Sequence, residues 1–293
     1  MLFIGGLVFV LLCVFASFVA SGGALAPLIM SMPFELLTIL GAAVGIFVMG
    51  NSKEALKHVP GDLRLVLAGP RHDKAAYLDL LVLLYRFMRL AQAKGDMALE
   101  EHIENPHDSA IFAMSPRIRD DKTTCNLICD YLRLTSLNIE NAYQMDEVMS
   151  RELKKNLTEQ LHTAKCLQSI ADALPALGIV AAVLGVIKTM ASISKPPAVL
   201  GAMIGGALVG TFLGVLLSYG VVAPLAARMR DVVMQDSRYH DLIRIVLVTH
   251  LQGSPPQVCA EIGRKDIPHI FMPSFSELDM ALTESSNPPP GTA

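Results

Sequence analysis

Long apolar stretches alternate along this chain with segments that mix apolar and charged residues at helical spacing. A helix needs about 20 apolar residues to cross the roughly 30 Å hydrocarbon core of a membrane. The first charged residue, Glu35, lies near the beginning of the second predicted span. No acidic residue or histidine lies deep within any of the predicted spans. The pattern predicts four membrane-spanning helices in two hairpins, at about residues 2–21, 33–50, 174–192 and 198–223.

The spans divide the chain into four segments. Residues 141–173 contain neither Gly nor Pro, so the third helix should begin far outside the membrane, and the fourth should continue to about Leu251. Beyond Pro273 the chain becomes rich in Ser, Glu and Pro, which indicates a disordered tail. We therefore expect an all-α integral membrane protein whose third and fourth helices extend into a helical cytoplasmic domain. Its segments are a hairpin at 1–50, the cytoplasmic domain at 51–172, a hairpin at 173–227, and a helix and tail at 228–293.

The distribution of Lys and Arg predicts how the chain is oriented. Cytoplasmic loops next to membrane helices carry an excess of these residues. The two short loops between paired spans contain only Lys195, which places both termini and the large central segment in the cytoplasm. A cleaved signal peptide is an alternative for the first span, although the basic segment that such signals need is missing. Eleven basic residues near the span ends lie on the predicted cytoplasmic side: Lys53, Lys57, Arg64, Arg151, Lys154, Lys155, Lys165, Arg228, Arg230, Arg238 and Arg244.

Composition excludes several classes of function. Hydrophobic residues make up 52% of the 293 residues and charged residues only 17%, which is too apolar for an ordinary soluble enzyme or a disordered chain. A net charge of -3 provides no positive field for a nucleic acid. The five cysteines lack zinc-type spacing and are expected to be reduced, and no motif of a known enzyme class is present. We expect neither an enzyme nor a metalloprotein.

The cytoplasmic domain is expected to contain a charged helical hairpin. A long apolar-rich helix at residues 73–94 carries Arg86 and Arg89 and ends before Gly95. A short helix at residues 97–104 then carries Glu100, Glu101 and Glu104. These charges can form a solvated surface held by ion pairs within the hairpin, or they can bind another protein; the sequence alone allows both.

Three residues in the second hairpin could have a function. Pro175 and Pro224 lie near the cytoplasmic ends of their spans, and each removes a helical hydrogen bond and frees a carbonyl, that of Ala171 or Gly220. They indicate a hinge or an ion exit, although proline is common in membrane helices. Thr211 is the only hydroxyl well inside the fourth span, where it can bond its own helix or a neighbouring one. Glycines recur every four residues from Gly206 to Gly214, which predicts close helix packing.

The second hairpin also resembles a known family. Residues 171–187 (ADALPALGIVAAVLGVI) are similar to the signature of the flagellar motor stator proteins of the MotA type, within the MotA/TolQ/ExbB proton channels. The similarity extends to residues 209–220 (VGTFLGVLLSYG), and covers the chain from about residue 1 to 280. Shorter similar segments are 101–106 (EHIENP), 130–134 (DYLRL), 223–225 (APL) and 263–265 (GRK).

The resemblance implies a function and its partners. Proteins of this family form a ring of five around two copies of a single-span partner of the MotB type, whose membrane aspartate accepts the ion. Ion passage turns the ring, and its cytoplasmic charges act on a switch-ring protein of the FliG type. This chain would then be a multi-pass inner-membrane subunit, in contact with lipid, that converts the proton motive force into torque for motility and chemotaxis. It would need no cofactor apart from the translocated proton.

The resemblance also implies roles for residues of the ion pathway. Pro175 and Pro224 match the two functional prolines of the family, and Thr211 matches the hydroxyl that faces the partner's aspartate. Asp172 matches an acid at the base of the third span. Sodium-type relatives carry threonine where this chain has Ala182, so we expect proton coupling.

The predicted rotor contact comes from the charged hairpin. Glu100 matches the acid of the family that faces the rotor, and Glu101 lies beside it. The basic residue of the family falls at Gln92 or Ala93 here, so Arg89 and Lys94 are expected to supply the positive charge.

Two other functions fit parts of the sequence. An energising channel of the TolQ and ExbB type would serve an envelope process, but those relatives have three spans. A non-conducting scaffold would use the glycines only for packing and the hairpin charges only for solvation. Normal motility after replacement of Pro175 would favour the scaffold.

Overall fold

The computed structural model of this chain describes residues 2–53, 61, 69, 71–136 and 141–286. Across these residues the regular secondary structure is entirely helical, with no strand. Two helices precede the first gap: α1 (Leu2–Ala20) and α2 (Leu25–Gly50). Then come α3 (Lys74–Lys94), a 3₁₀ turn (Asp96–Leu99), α4 (Glu100–Glu104), α5 (Ala110–Ala113), α6 (Pro116–Asp120) and α7 (Lys122–Ser136).

The longest helices follow. After α8 (Ala142–Met190) and α9 (Pro197–Leu217), a π-helical segment (Ser218–Val222) leads directly into α10 (Ala223–Leu251). The chain continues with α11 (Pro256–Asp266) and α12 (Phe275–Ser286). The helix α8 has 49 residues and the helical run from Pro197 to Leu251 has 55, far more than the roughly 20 that cross a membrane. Both therefore continue beyond their apolar segments, as the sequence predicts.

Four helices are long and apolar enough to cross a membrane, which confirms the predicted number. The second begins earlier than expected, at Leu25, and its apolar span begins at Leu28, not at residue 33. Pro33 lies inside the helix, and membrane helices tolerate internal proline. Glu35 is therefore seven residues into the apolar segment that begins at Leu28, further from its start than in the predicted span.

The described residues form two compact units. Unit 1 comprises residues 1–69 and 160–232, and unit 2 comprises residues 70–159 and 233–293. The predicted limits of the cytoplasmic domain, 51–172, stay a prediction. Two basic residues used to predict the orientation, Lys57 and Arg64, lie outside the described residues.

Unit 1 has a small apolar core where α2 and α9 contact each other and α8 joins them. Its buried members are Ile39 and Ala43 of α2, with four residues of α8 and α9. Burial of aliphatic side chains between helices excludes lipid, and close packing stabilises the contact. The four residues from α8 and α9 are Leu174, Ala181, Val209 and Leu213.

Unit 2 is built around α3, which contacts α11 and α12. Asp73 begins this helix by accepting a hydrogen bond from the Ala76 amide at 2.8 Å, and Gly95, with a φ of 80°, ends it. Nine of its residues are buried, so α3 is apolar on most of its surface. Among its charged residues, Arg89 and Lys94 are exposed, whereas Asp79 and Arg86 are half-buried.

The expected disordered tail was wrong for residues 275–286, which form α12. The Ser274 amide donates to Glu277 Oε2 at 2.6 Å, and the Glu277 amide donates to Ser274 Oγ at 3.2 Å. This reciprocal pair is a capping box that begins the helix. Leu278 and Leu282 are buried, and their packing holds the segment in the fold. The predicted tail beyond residue 286 lies outside the described residues.

Candidate functional site

The helices α8 and α9 approach each other backbone to backbone in unit 1. A Cβ atom added to Gly214 would lie 2.7 Å from the carbonyl oxygen of Leu174 and 2.8 Å from the Cα of Gly178. One added to Gly178 would lie 2.8 Å from the carbonyl oxygen of Gly210. Such contacts exclude any larger residue, because backbone atoms cannot move aside as a side chain can.

Thr211 lies at this close contact. Its Cα is 3.3 Å from the Cβ position of Gly178, and the residue is half-buried. The structure shows no hydrogen bond from its hydroxyl to any described residue. By contrast, the Thr189 hydroxyl donates to the Gly185 carbonyl of its own helix at 2.9 Å. The common explanation for a threonine in a span, a bond to its own or a neighbouring helix, therefore does not account for Thr211 within the described residues.

Ala182 lies at the same contact. Its amide nitrogen is 3.2 Å from the Cβ position of Gly210, the residue that precedes Thr211. The fold thus brings Ala182 and Thr211 together, although they are far apart in sequence. Ala182 has no side-chain oxygen to add at this contact.

Pro175 lies inside α8, one residue after the buried Leu174. The carbonyl that it frees, that of Ala171, accepts a hydrogen bond from the Ser218 hydroxyl at 2.6 Å. Ser218 is only 1% exposed, so this bond is shielded from water. The sequence located the freed carbonyl correctly, but its partner was missed because the two residues belong to different helices.

The second proline, Pro224, follows the π-helical segment. The Ala223 amide, just before the proline, donates to the Ser218 carbonyl, which is five residues back instead of four. Single π turns occur mainly inside α-helices at functional sites. The break at Pro224 therefore includes a change of helical register, which the sequence did not indicate.

Asp172 is exposed on α8, and its carboxylate accepts a hydrogen bond from Gln168 Nε2 at 2.8 Å. It directly follows Ala171, whose carbonyl is bonded to Ser218. The predicted acid at the base of the third span thus lies next to the proline break in the chain and is accessible to solvent.

Glu35 is a polar residue of unit 1 that the sequence did not identify as a candidate. Its Oε2 atom lies 2.7 Å from the Cβ position of Gly210, so its carboxylate faces the glycines of α9. One turn earlier, Ser31 Oγ occupies the same kind of position against Gly206. The glycine stripe therefore makes room for polar side chains of α2 as well as for close helix contact. The apolar stretch before Pro33 was the sequence signal that could have revealed this, because it moves the start of the span to Leu28.

The predicted rotor contact residues are all exposed in unit 2. Arg89 and Lys94 lie on the last turns of α3, and Glu100 and Glu101 begin α4. The guanidinium of Arg89 lies 5.8 Å from the ring centroid of Tyr85, which positions it without neutralising it. In the described part of the chain, none of these four residues forms an ion pair. Their charges remain available to another protein.

Of the two interpretations of the charged hairpin, ion pairs between its arms are not found among the described residues. Glu104 pairs with Arg133 of α7 at 3.0 Å, and not with a basic residue of α3. Arg86 points towards the interior: burial lowers its pKa, which the nearby Asp79 partly offsets. The partner of Glu104 could not be read from residue spacing, because Arg133 lies on α7, outside the hairpin.

A metal site is not indicated by the part of the chain that the structure describes. No group of three His, Cys, Asp or Glu residues there could hold an ion, and the five cysteines are free. Cys125 and Cys129 are both buried on one face of α7, where they pack in the core.

Comparison with known proteins places this architecture in a family. Residues 4–95 match the family "Motility protein A N-terminal", and residues 122–240 match the "MotA/TolQ/ExbB proton channel family". Motility protein A of Escherichia coli strain K12 is 39% identical over 288 residues, which cover 98% of this chain and 97% of that protein.

Solved structures share the fold. The flagellar MotAB stator complex from Bacillus subtilis superposes with a TM-score of 0.72 at 20% identity, covering 95% of this chain and 98% of that one. The MotAB structure from C. jejuni gives a TM-score of 0.73 at 17% identity, covering 91% and 95%. Near full-length similarity in sequence, supported by the four-span helical fold, shows that the chain is a membrane protein that belongs to the motility protein A family within the MotA/TolQ/ExbB proton channels.

Proposed function

We propose that this chain is a stator subunit of the bacterial flagellar motor, which works with a MotB-type partner to convert the proton motive force into torque. The observation that carries the proposal is the 39% identity to motility protein A over 98% of the chain. The match to the N-terminal motility protein A family over residues 4–95 covers the first two spans and favours a stator over an energising channel of the TolQ or ExbB type.

The ion pathway is proposed to follow the contact between α8 and α9. Thr211 offers a half-buried hydroxyl that bonds to no described residue, as a group that faces a partner's aspartate should. Pro175 and Pro224 would let the cytoplasmic ends of the two helices bend when that aspartate gains or loses a proton. Asp172, exposed beside the first break, would receive the proton on its way out.

The translocated ion is proposed to be the proton. A sodium site needs several oxygen ligands, and Ala182 adds none beside Thr211. Swimming that persists when protonophores collapse the proton gradient, and stops when sodium is withdrawn, would overturn this assignment. No other cofactor is proposed, and the expectation that the chain is not an enzyme stays a prediction.

The assembly is proposed to contain five copies of this chain around two copies of the single-span partner. This chain would then provide the ring and the partner the titrating aspartate. Rings of subunits bury apolar faces that a single chain leaves open. In unit 1, Ile179, Val183, Leu184 and Ile187 are large, exposed and apolar, and are available to other subunits or to lipid.

Arg89, Lys94, Glu100 and Glu101 are proposed to contact the switch-ring protein of the rotor. Complementary charges steer association and fix its register. These four residues and both termini would then lie in the cytoplasm of the cell, and the spans would lie in the inner membrane. Charge reversal at Glu100, compensated by a reversed charge on the rotor, is the direct test of this contact.

The experiment that tests the function compares partner-dependent proton conductance and swimming in cells that lack their own motility protein A. Cells receive this chain with or without the MotB-type partner. Wild type should conduct protons and swim only with the partner. Pro175→Leu should abolish both, because it restores a hydrogen-bonded helix where a bend is required.

Pro33→Leu is the matched control, since Pro33 is also an internal proline of a membrane helix in unit 1 but has no assigned role. Pro33→Leu should leave swimming intact. If Pro175→Leu swims as well as the wild type, the scaffold interpretation replaces the stator. If the chain supports an envelope process without a flagellum, the TolQ and ExbB interpretation replaces it.

A further inference from the structure

The strongest unassigned contact in unit 1 is the hydrogen bond from the Ser218 hydroxyl to the carbonyl of Ala171. It is 2.6 Å long and joins residues 47 positions apart on different helices. Both residues are only 1% exposed. A buried carbonyl without a donor destabilises a fold strongly, most of all in a membrane, where no water replaces the missing partner.

Ala171 needs this donor because of Pro175. In an unbroken helix the amide four residues later would donate to the Ala171 carbonyl, and proline has no amide hydrogen. The neighbouring helix packs tightly beside this break, because the Cβ position of Gly214 lies 2.7 Å from the Leu174 carbonyl oxygen. The hydroxyl of Ser218 thus takes the place of the missing backbone donor.

Ser218 is also the first residue of the π-helical segment. Its amide donates to the carbonyls of Gly214 and Val215, and its carbonyl accepts from the Ala223 amide just before Pro224. One residue therefore satisfies the helix broken by Pro175 with its side chain and sets the helical register before Pro224 with its backbone.

We propose that Ser218 is a positioning residue that links the two proline breaks, so that α8 and the helix leading to Pro224 bend as one unit. This inference rests on the proposed stator function, in which bending of these helices accompanies proton passage. A change of angle at either proline must stretch the bond between Ser218 and Ala171 or move both helices together. The exposed Asp172, next to Ala171, would move with them.

A double-mutant cycle between Pro175→Ala and Ser218→Ala tests the link. Alanine at position 175 restores an amide that can donate to the Ala171 carbonyl, which makes the Ser218 hydroxyl dispensable. We expect Ser218→Ala to lower the thermal midpoint of the purified complex when Pro175 is present, and to leave it unchanged when alanine stands there.

The functional measurement is partner-dependent proton conductance per assembled complex. Losing one buried hydrogen bond should lower the conductance of Ser218→Ala by about fivefold, with the amount of co-purified partner unchanged. Ser169→Ala is the matched control, because the Ser169 hydroxyl only bonds the Lys165 carbonyl of its own helix, at 3.1 Å. It should conduct as the wild type does.

Two outcomes overturn the inference. Equal loss of stability in both backgrounds would show that Ser218 does not replace the amide missing at Pro175. Wild-type conductance of Ser218→Ala, with a conducting wild type, would show that the bond does not matter for function while the stator role stands. Failure of the wild type to conduct with its partner would refute the proposed function instead, and the stability cycle would still test the link between the helices.

Discussion

The two compact units of this chain are held together in different ways. In unit 1 the helices touch through glycine, with backbone atoms about 3 Å from the Cβ positions of Gly178 and Gly214. In unit 2 the helices are separated by large side chains such as Phe87, Phe112 and Tyr131, all fully buried. In lipid the hydrophobic effect does not drive helices together, so their association depends on close packing of the backbones. In unit 2 the burial of apolar side chains away from water stabilises the packing of the helices.

The difference decides which substitutions each unit tolerates. Unit 1 should be damaged by added atoms, because its closest contacts are between backbones. Unit 2 should be damaged by removed atoms, because its core consists of interdigitating side chains. Gly263 of unit 2 differs from Gly214 of unit 1 in this respect. The atoms nearest to a Cβ at Gly263 would be the side-chain ends of Val246, Leu81 and Leu242, and not backbone atoms.

The largest effect is expected from truncation in unit 2. Phe87→Ala removes a fully buried ring that packs edge-on against Phe112 at 5.2 Å between centroids. We expect a loss of about 3–5 kcal/mol in the free energy of unfolding. Denaturant unfolding of the purified complex, followed by circular dichroism, measures it. Met97→Ala, at an 80% exposed position, is the control, and a similar loss there would contradict the comparison.

Acid should weaken unit 2 through buried histidines. Burial, reinforced by His240, lowers the pKa of His72 to about 4 from an ordinary 6.5, and burial lowers the pKa of His240 as well. The unfolded chain binds more protons in this range, so this stability is complete above pH 6.5 and declines as the pH falls towards 4. The lowered pKa of His72 corresponds to a loss of about 3 kcal/mol by pH 4.

Thermal unfolding of the complex between pH 7 and 4.5 tests this expectation. Asp236, which lies 3.8 Å from His72 and whose pKa is raised by burial, opposes the loss at the acidic end of the range. His72→Phe retains a ring to stack on Tyr239 but cannot be protonated, so its stability should depend less on pH. An unchanged pH dependence in this variant would exclude His72 as the cause.

Adding a methyl group should separate the two units clearly. Gly214→Ala places a Cβ against the backbone of α8 and should cost about 1–3 kcal/mol, seen as a lower thermal midpoint and less assembled complex. Gly263→Ala should cost less, because side-chain ends can rotate away. Gly205→Ala, with open space around it, should be neutral. Equal effects at all three positions would break the comparison.

The smallest effect is expected at the start of α12. Ser274→Ala removes the hydroxyl that accepts from the Glu277 amide and should cost about 1 kcal/mol. Hydrogen exchange of the α12 amides measures the local loss. Ser276→Ala, within the first turn but outside the capping box, is the control. Equal protection in both variants would mean that burial of Leu278 and Leu282 alone holds the helix.

Much of the architecture could be predicted from local sequence. Apolar runs predict the four spans, the absence of Gly and Pro from residues 141–173 predicts that α8 begins far outside its span, and Asp73 and Gly95 mark the ends of α3. The predicted site residues were identified through a family resemblance, and their roles remain proposals. The α12 helix was missed because the surrounding Ser, Glu and Pro resembled a disordered tail, although its capping box was visible in the sequence.

The sequence by itself determined which segments are apolar enough to leave water, because hydropathy depends only on local composition. Only the tertiary structure decided which groups meet: Glu104 with Arg133, Glu35 with the glycines of α9, and Ser218 with the Ala171 carbonyl. Proline creates an unpaired carbonyl that any reader of the sequence can locate. Its donor comes from another helix, and the distance between helices is fixed by packing, which no single segment encodes.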